Sequence, residues 1–408
     1  MKFKSEGLLA KQSGEILARL HSLDTTVVAL GPPLTAEDTV LDLQRQFLKL
    51  NLTRPCLEYV FFWLLSNLPE GRQQASLVHG DFRNGNLMVN RESGIIGVLD
   101  WELAHVGDPY EDLAWICMES WRFGRMDKEA GGFGSEAELV SSYCSSKNAL
   151  LRQKGESFAP SDFDWDRFRF WSVVVNAKWA VICLGMGNAW RKDNSISHER
   201  AAIARRATEA ELDCIRKITH WGIKKSPLTY TKVSEEILKR DWSEKMQNAI
   251  PGNDVSYVSS SELLTAVSHF LKNEIRSDVK KRNQRLGYLL SVASNMLLIA
   301  RRELEMGPLA QTFEKAGLLK VLELVNKNGV STGSSLSIFE LRRRFVSSLR
   351  RVEEANAVLS EEIVAAIEFH LLLTQVGQVE IDQPSYAGLK EARSVIKLLD
   401  TKILKSQL

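Results

Sequence analysis

The segment His79-Gly80-Asp81-Phe82-Arg83-Asn84-Gly85-Asn86 sets a carboxylate and a carboxamide five positions apart, and a second carboxylate, Asp100, closes the next apolar run. Phosphoryl transfer calls for these types: a carboxylate at the acceptor hydroxyl, and oxygen ligands that hold magnesium against the nucleotide phosphates. Asp81 suits the first task, Asn86 and Asp100 the second. A lone His-Gly-Asp arises by chance in loops, and Asp-Gly-Asn clusters commonly do no more than turn the chain. The weight therefore rests on the three residues together with the elements around them.

Those elements are legible. Residues 87–90 and 95–99 are two short β-rich runs around Arg91-Glu92-Ser93-Gly94, which predicts a hairpin that returns Asp100 beside Asp81 and Asn86. Asp108-Pro109-Tyr110-Glu111 then offers a helix cap, a proline at the first helical position and an acid three residues after the cap, so a helix is expected through Asp112-Leu113-Ala114-Trp115. The interval from Asp81 to Asn86 equals that of the kinase catalytic loop H-R-D-x-x-x-x-N.

VHGDFRNGNLMV with VLDWELAHVGDPYEDLAW resembles the aminoglycoside phosphotransferase-like (choline kinase-type) kinases, whose members phosphorylate antibiotics, choline, homoserine and other small hydroxyl compounds. The resemblance implies ATP and Mg2+ as cofactors, Asp81 as catalytic base, and Asn86 and Asp100 as magnesium ligands. It also implies that Asp112 anchors the backbone of the catalytic loop, which His79 and Arg83 support. The opening ILARLHSLD is similar to the family's helix between two lobes, and RFWSVVVNAKWAVICL through ARRATEAELD to later helices of some members. The likeness covers about residues 1–220.

Individual side chains carry less. His79 reads as a packed loop histidine rather than a proton carrier, because this chemistry needs mainly positioning and charge stabilisation. Arg83 faces either phosphate or substrate on one hand, or solvent on the other, and the sequence leaves both open. Trp171, Trp179 and Trp190 fall at helical spacing and are core residues, of which one or two could floor an acceptor pocket.

The family's nucleotide-binding lobe is not recognisable ahead of His79. That stretch reads as helices, contains no G-x-G-x-x-G run, and offers Lys2, Lys4 and Lys11 on no strand. Three explanations stay open: a truncated chain, a lobe supplied by another polypeptide, or a degenerate relative kept as a catalytically inactive binding scaffold. The intact Asp81, Asn86 and Asp100 favour truncation of an active member.

Beyond the motifs, a helix opens the chain around residues 6–23 and another spans roughly Leu57 to Leu68. From Trp165 to about Ile218 the pattern is helical with a break near Gly185 and Gly187. Residues 222–255 carry Pro227, Pro251 and Gly252 and form the expected linker. After it the period is helical to the end, interrupted at Gly307-Pro308 and over the Gly/Ser-rich 329–335. The expected organisation is a kinase-like C-lobe over 1–221, a linker over 222–255 and an all-helical domain over 256–408. The fold class is mainly α with a small β-hairpin region (α+β). The C-terminal part is similar to a small helical domain found after such kinase folds, and no catalytic constellation stands out in it.

Composition removes other classes. With 53 basic and 51 acidic side chains the net charge is only +2, so no bulk attraction to nucleic acid or membrane is expected. The cluster Arg342-Arg343-Arg344 with Arg350-Arg351 is interleaved with Glu340, Glu353 and Glu354, which reads as a solvated helix face. Five scattered cysteines without a C-x-x-C pair read as reduced core thiols of a cytoplasmic protein. The stretch Val173 to Trp190, interrupted by Asn176, Lys178 and Asn188, is expected to fall short of a membrane span.

Overall fold

The structure, a computed structural model, describes residues 7–27, 29–71, 75–192, 198–226, 229–230, 260–325, 336–355, 357–386 and 388–398. It is mainly helical, as the sequence predicts, with two small antiparallel sheets, of which the sequence predicts the β2–β3 hairpin. The chain divides into two compact units: Met1–Lys49 with Val60–Lys178, and Leu50–Tyr59 with Trp179–Leu408.

In the first unit α1 (Leu8–Leu20) buries Leu9, Leu17 and Ala18 against α5 (Glu136–Arg152), which contributes Leu139, Val140 and Tyr143. The two backbones come close at Gly14, where a Cβ would stand 2.5 Å from the Leu139 carbonyl. Helix α5 starts on a capping box: Ser135 Oγ accepts from Glu138 N, and Glu138 returns to Ser135 N. Between α1 and α5 lie α2 (Ala36–Lys49), α3 (Pro55–Ser66) and the sheets. Strand β1 (Ser76–Val78) pairs with β4 (His105–Gly107), and β2 (Leu87–Asn90) with β3 (Gly94–Val98) through a register shift between Met88 and Val89. The hairpin is where the sequence places it, whereas α2 and the β1–β4 pair are additions to the expected elements. Gln12 of α1 fixes the hairpin, accepting from Ile95 N and donating to Ser93 O at 2.8 Å each.

Helix α4 (Tyr110–Ile116) is short and wholly buried. Its N-cap is Pro109, one residue after the expected Asp108, and no side chain caps it; Asp108 accepts from Tyr110 N at 3.0 Å, and Glu111 closes no capping box but turns inward to a lysine. Helix α6 (Trp165–Lys192) runs through Gly185 and Gly187 without the expected break. At Gly187 an added Cβ would come within 2.9 Å of Ala204 on α7 (His198–Arg205), so that glycine serves a helix crossing instead. Trp165–Ala189 is in fact long and apolar enough to cross a membrane, contrary to expectation, and 61% of its most apolar window is buried inside the protein.

The second unit adds α8 (Ala207–Lys225), α9 (Ser260–His269), a π-helical turn Phe270–Ile275, α10 (Arg276–Arg282) and α11 (Gln284–Val325). It ends with α12 (Ile338–Glu354), α13 (Glu361–Asp382) and α14 (Gly388–Leu398). Helix α11 continues through Pro308, where an interruption was expected; the missing N–H costs it one internal hydrogen bond.

The division between units differs from the expected linker at 222–255. It falls inside α6, between Lys178 and Trp179, and α8 continues through 222–225. The reason is packing. Helix α8 lies on α13, Arg54 clasps Glu211 of α8 through two hydrogen bonds of 2.9 and 2.6 Å, and Tyr59 donates to Glu368 of α13. Residues 227–228 and 231–255 of that expected linker, and the Gly/Ser-rich 329–335, lie outside the described residues. Three of the five arginines of α12 pair with carboxylates: Arg342 with Glu314, Arg344 with Glu340, and Arg350 with Glu58. All five cysteines are free and buried.

Candidate active site

The loop between β1 and the 3-10 turn Asn84–Asn86 is held from below by Asp112 on α4. Its carboxylate, fully buried, accepts from His79 N at 2.8 Å and Gly80 N at 2.9 Å, and His21 reaches it at 3.2 Å. Bonds from two consecutive amides to one carboxylate fix the peptide plane of the loop. Gly80 sits at φ +80°, and a Cβ there would lie 2.5 Å from the Leu103 carbonyl, so glycine is required on both counts.

His79 is fully buried and spends both ring nitrogens on backbone. Nε2 donates to Leu99 O at 3.0 Å and Nδ1 accepts from Asp81 N at 3.2 Å, which fixes the neutral Nε2–H tautomer. Its ring packs on Trp101 with centroids 4.5 Å apart.

Asp81 is surrounded by donors. Oδ1 accepts from Arg83 Nε at 2.9 Å and Trp115 Nε1 at 2.8 Å; Oδ2 accepts from Asn86 Nδ2 at 2.7 Å and Arg83 Nε at 3.2 Å. Asn86 Nδ2 also donates to the Asp81 carbonyl at 3.0 Å. Asn86 thus turns its nitrogen to Asp81, and its Oδ1 accepts no hydrogen bond among the described residues. Leu99 N donates to Asn86 O at 2.8 Å, so the end of the hairpin lies beside the loop of residues 79–86. The next residue, Asp100, is exposed, with a strained left-handed φ of +67°. The hairpin therefore brings two of the expected metal ligands to one end, each with carbonyl or carboxylate oxygen unspent. Those oxygens suit a hard divalent cation such as magnesium.

A buried ion network lies under the loop and was not foreseen. Lys178 of α6 donates to Gly80 O at 2.9 Å and to Glu111 at 2.8 Å, lies 4.9 Å from the Trp115 ring centroid, and shares Glu111 with His105 at 3.2 Å. Burial works to raise the Glu111 carboxyl, but the Lys178 ammonium and the His105 bond outweigh it and hold it at about 2. Burial likewise works against the His105 imidazolium, and the bond and charge of Glu111 override it, raising His105 above its usual range. The one signal available was Lys178 itself, a lysine within an apolar helix face, which must find an anion. Its partner is far away in sequence.

Residues 3–144 match the family described as phosphotransferase enzyme family. The chain is similar to acyl-CoA dehydrogenase family member 11 of Pongo abelii, 26% identical over 230 residues, which cover 54% of this chain and 26% of that protein. It is similar also to acyl-CoA dehydrogenase family member 10 of Mus musculus, 34% identical over 110 residues, covering 26% of this chain and 10% of that protein. The chain spans about a quarter or less of the length of these curated relatives. A solved structure from Ralstonia eutropha, described as an aminoglycoside phosphotransferase, aligns with a TM-score of 0.41 at 23% identity, over 50% of this chain and 63% of that one.

Proposed function

We propose that residues 3–144, a segment of the phosphotransferase enzyme family, serve transfer of the γ-phosphoryl group of ATP to the hydroxyl of a small molecule, with Asp81 as base. The observation that carries this reading is the Asp81 carboxylate, aimed by Trp115 and Asn86 on a loop whose backbone Asp112 holds. In the step, the acceptor hydroxyl gives its proton to Asp81 as its oxygen forms a bond to the γ-phosphorus. The bond from that phosphorus to the β,γ-bridging oxygen breaks, and ADP leaves with the electron pair. Asn86 Oδ1 and the Asp100 carboxylate are the oxygens that would hold Mg2+, which when bound supplies neutralisation of phosphate charge. Lys178 and Glu111 keep the Gly80 carbonyl, and so the loop, in place.

The test is Mg·ATP-dependent phosphorylation of a panel of hydroxyl compounds by the full chain, alone and with a nucleotide lobe joined ahead of residue 1. The relatives' names make hydroxylated acyl-CoA thioesters part of that panel. Asp81→Ala or Asp100→Ala should each lower turnover by about a thousandfold or more, on the scale of losing a positioned base or a transition-state charge. Undiminished turnover in either variant removes its assigned role.

A second reading, a binding scaffold, draws on one observation. Among the described residues ahead of Ser76 there are helices and turns and no strand to cover nucleotide phosphates. The apolar side chains Ile96, Leu99, Trp101 and Leu103 are exposed beside Asp100, a rim that a separate nucleotide-lobe polypeptide would cover. On this reading the chain alone binds Mg·ATP weakly, and micromolar affinity by calorimetry would count against it.

A further inference from the structure

The four hydrogen bonds on Asp81 raise a steric question that the base role does not answer. Each carboxylate oxygen offers two in-plane lone pairs, and three N–H groups engage them: Trp115 Nε1 on Oδ1, Asn86 Nδ2 on Oδ2, and the single Arg83 Nε–H shared between both oxygens. An acceptor hydroxyl must itself donate to one of these oxygens before its proton can move, so one resident donor has to leave. Trp115 is buried within α4, and Asn86 is buried and bonded a second time to the Asp81 carbonyl. Arg83 is the donor able to go: its side chain is 27% exposed, and a flexible stem carries it.

The rest of the Arg83 guanidinium is laid out for a second partner. Its plane lies 4.9 Å from the Trp121 ring centroid, and Nη1 occupies the space a Cβ on Gly85 would take, at 2.2 Å. Only Nε is used, on Asp81; Nη1 and Nη2 donate to nothing among the described residues. Trp121 is itself buried and so forms a fixed platform along which the guanidinium can slide.

Resting on the phosphotransferase reading, we infer that Arg83 is a displaceable latch on the catalytic base, and that the acceptor is an anion whose carboxylate or phosphate, a few bonds from its hydroxyl, receives the freed guanidinium. The charge balance gives the direction. When a hydroxyl takes the place of Nε, Arg83 loses its carboxylate, and a neutral acceptor leaves it with none. An acceptor bearing its own anion restores the pair and offers the forked geometry that guanidinium matches best. Arg83 then selects hydroxy acids or hydroxy phosphates over neutral alcohols of the same shape.

The indole N–H of Trp115 donates to Asp81 Oδ1 and Trp121 lies under Arg83, so both report occupancy of the site. The experiment follows the 15N-indole resonances of the full chain, assigned by Trp→Phe replacement, during titration with 3-hydroxybutyrate, glycerol 3-phosphate, neutral 3-hydroxybutyramide and Mg·ATP. At least one of the two anionic probes should shift both resonances and bind more tightly than the amide. Arg83→Gln should weaken that anion by about tenfold or more, the loss of one charge-assisted pair, and should not weaken the amide, which no longer has to break the Arg83–Asp81 pair. Arg83→Lys should restore part of the anion's affinity. Equal binding of acid and amide, unchanged anion affinity in Arg83→Gln, or no shift with either anion would overturn the inference. So would an Arg83-dependent shift of Trp121 by Mg·ATP alone, which would assign the guanidinium to the nucleotide phosphates. The reading on which this rests falls separately, through the turnover of the Asp81 and Asp100 variants.

Discussion

Glu111 in the first compact unit and Glu368 in the second are both buried carboxylates, and they are stabilised in opposite ways. Glu111 has the Lys178 ammonium on one oxygen and the His105 ring on the other, and is held at about 2. Glu368 has two phenols, Tyr59 at 2.8 Å and Tyr230 on its other oxygen, and no cation among the described residues. Burial pushes it up to about 7, because the tyrosine bonds only partly offset the loss of water. The difference follows the partners at each place. Under the loop of residues 79–86, charge fixes the Gly80 carbonyl. At Glu368 of α13, phenols stand where Glu111 has a lysine, and the carboxyl keeps its proton to a higher pH.

The strongest way to break this comparison is to remove the cation. Lys178→Met leaves Glu111 buried with His105 alone and frees the Gly80 carbonyl, and should cost about 3–5 kcal/mol in chemical denaturation, as does breaking a buried pair from one side. Lys178→Met combined with Glu111→Gln should recover much of that loss while turnover stays impaired, since the Gly80 carbonyl is still unheld. A single variant as stable as the parent would mean that the pair is decorative.

Titration sharpens the contrast next. Glu368 has a folded-state value near 7 against 4.5 unfolded, so the folded state holds its proton more tightly. The stability this gives is complete below pH 4.5 and lost as pH rises through 7, about 3 kcal/mol in all by linkage. Glu111 has the reverse sign: its folded value near 2 gives stability present above pH 4.5 and lost as pH falls through 2. Unfolding free energy measured from pH 4.5 to 8.5 should therefore decline for the parent chain and decline less in Glu368→Gln, where the raised His105 still contributes a fall. An equal decline in that variant would move the effect to another group.

How much of this could be read from the chain alone depended on distance in sequence. The loop of residues 79–86, the hairpin and the return of Leu99 to Asn86 all lie within one local stretch, where turn residues and strand periods determine geometry, and the sequence predicts the hairpin closely. Lys178 registers in the sequence only as an interruption of an apolar run, because its carboxylate partner lies on α4, across the β1–β4 region. The expected breaks at Gly187 and Pro308 are absent for a similar reason. A glycine that weakens an isolated helix permits a close crossing with Ala204, and a 42-residue helix absorbs the loss of one bond at a proline. The expected linker at 222–255 rested on composition, whereas the division follows which apolar faces α8 and the segment Leu50–Tyr59 cover.

Glycines give the smallest effect and the most direct comparison of the two units. Gly80 is at φ +80° with the Leu103 carbonyl where a Cβ would go, so Gly80→Ala must strain the loop and displace that backbone, at about 2 kcal/mol. Gly377, within α13, has nothing within 4 Å of an added Cβ. There alanine loses less backbone freedom on folding and gains helix propensity, and Gly377→Ala should stabilise by about 0.5–1 kcal/mol. Thermal unfolding of both variants measures the pair, and the expected signs are opposite. A loop that tolerates alanine at Gly80 would mean that the Asp112 clasp on His79 and Gly80 holds less rigidly than two short hydrogen bonds require, and the aim of Asp81 would then have to come from Trp115 and Asn86 alone.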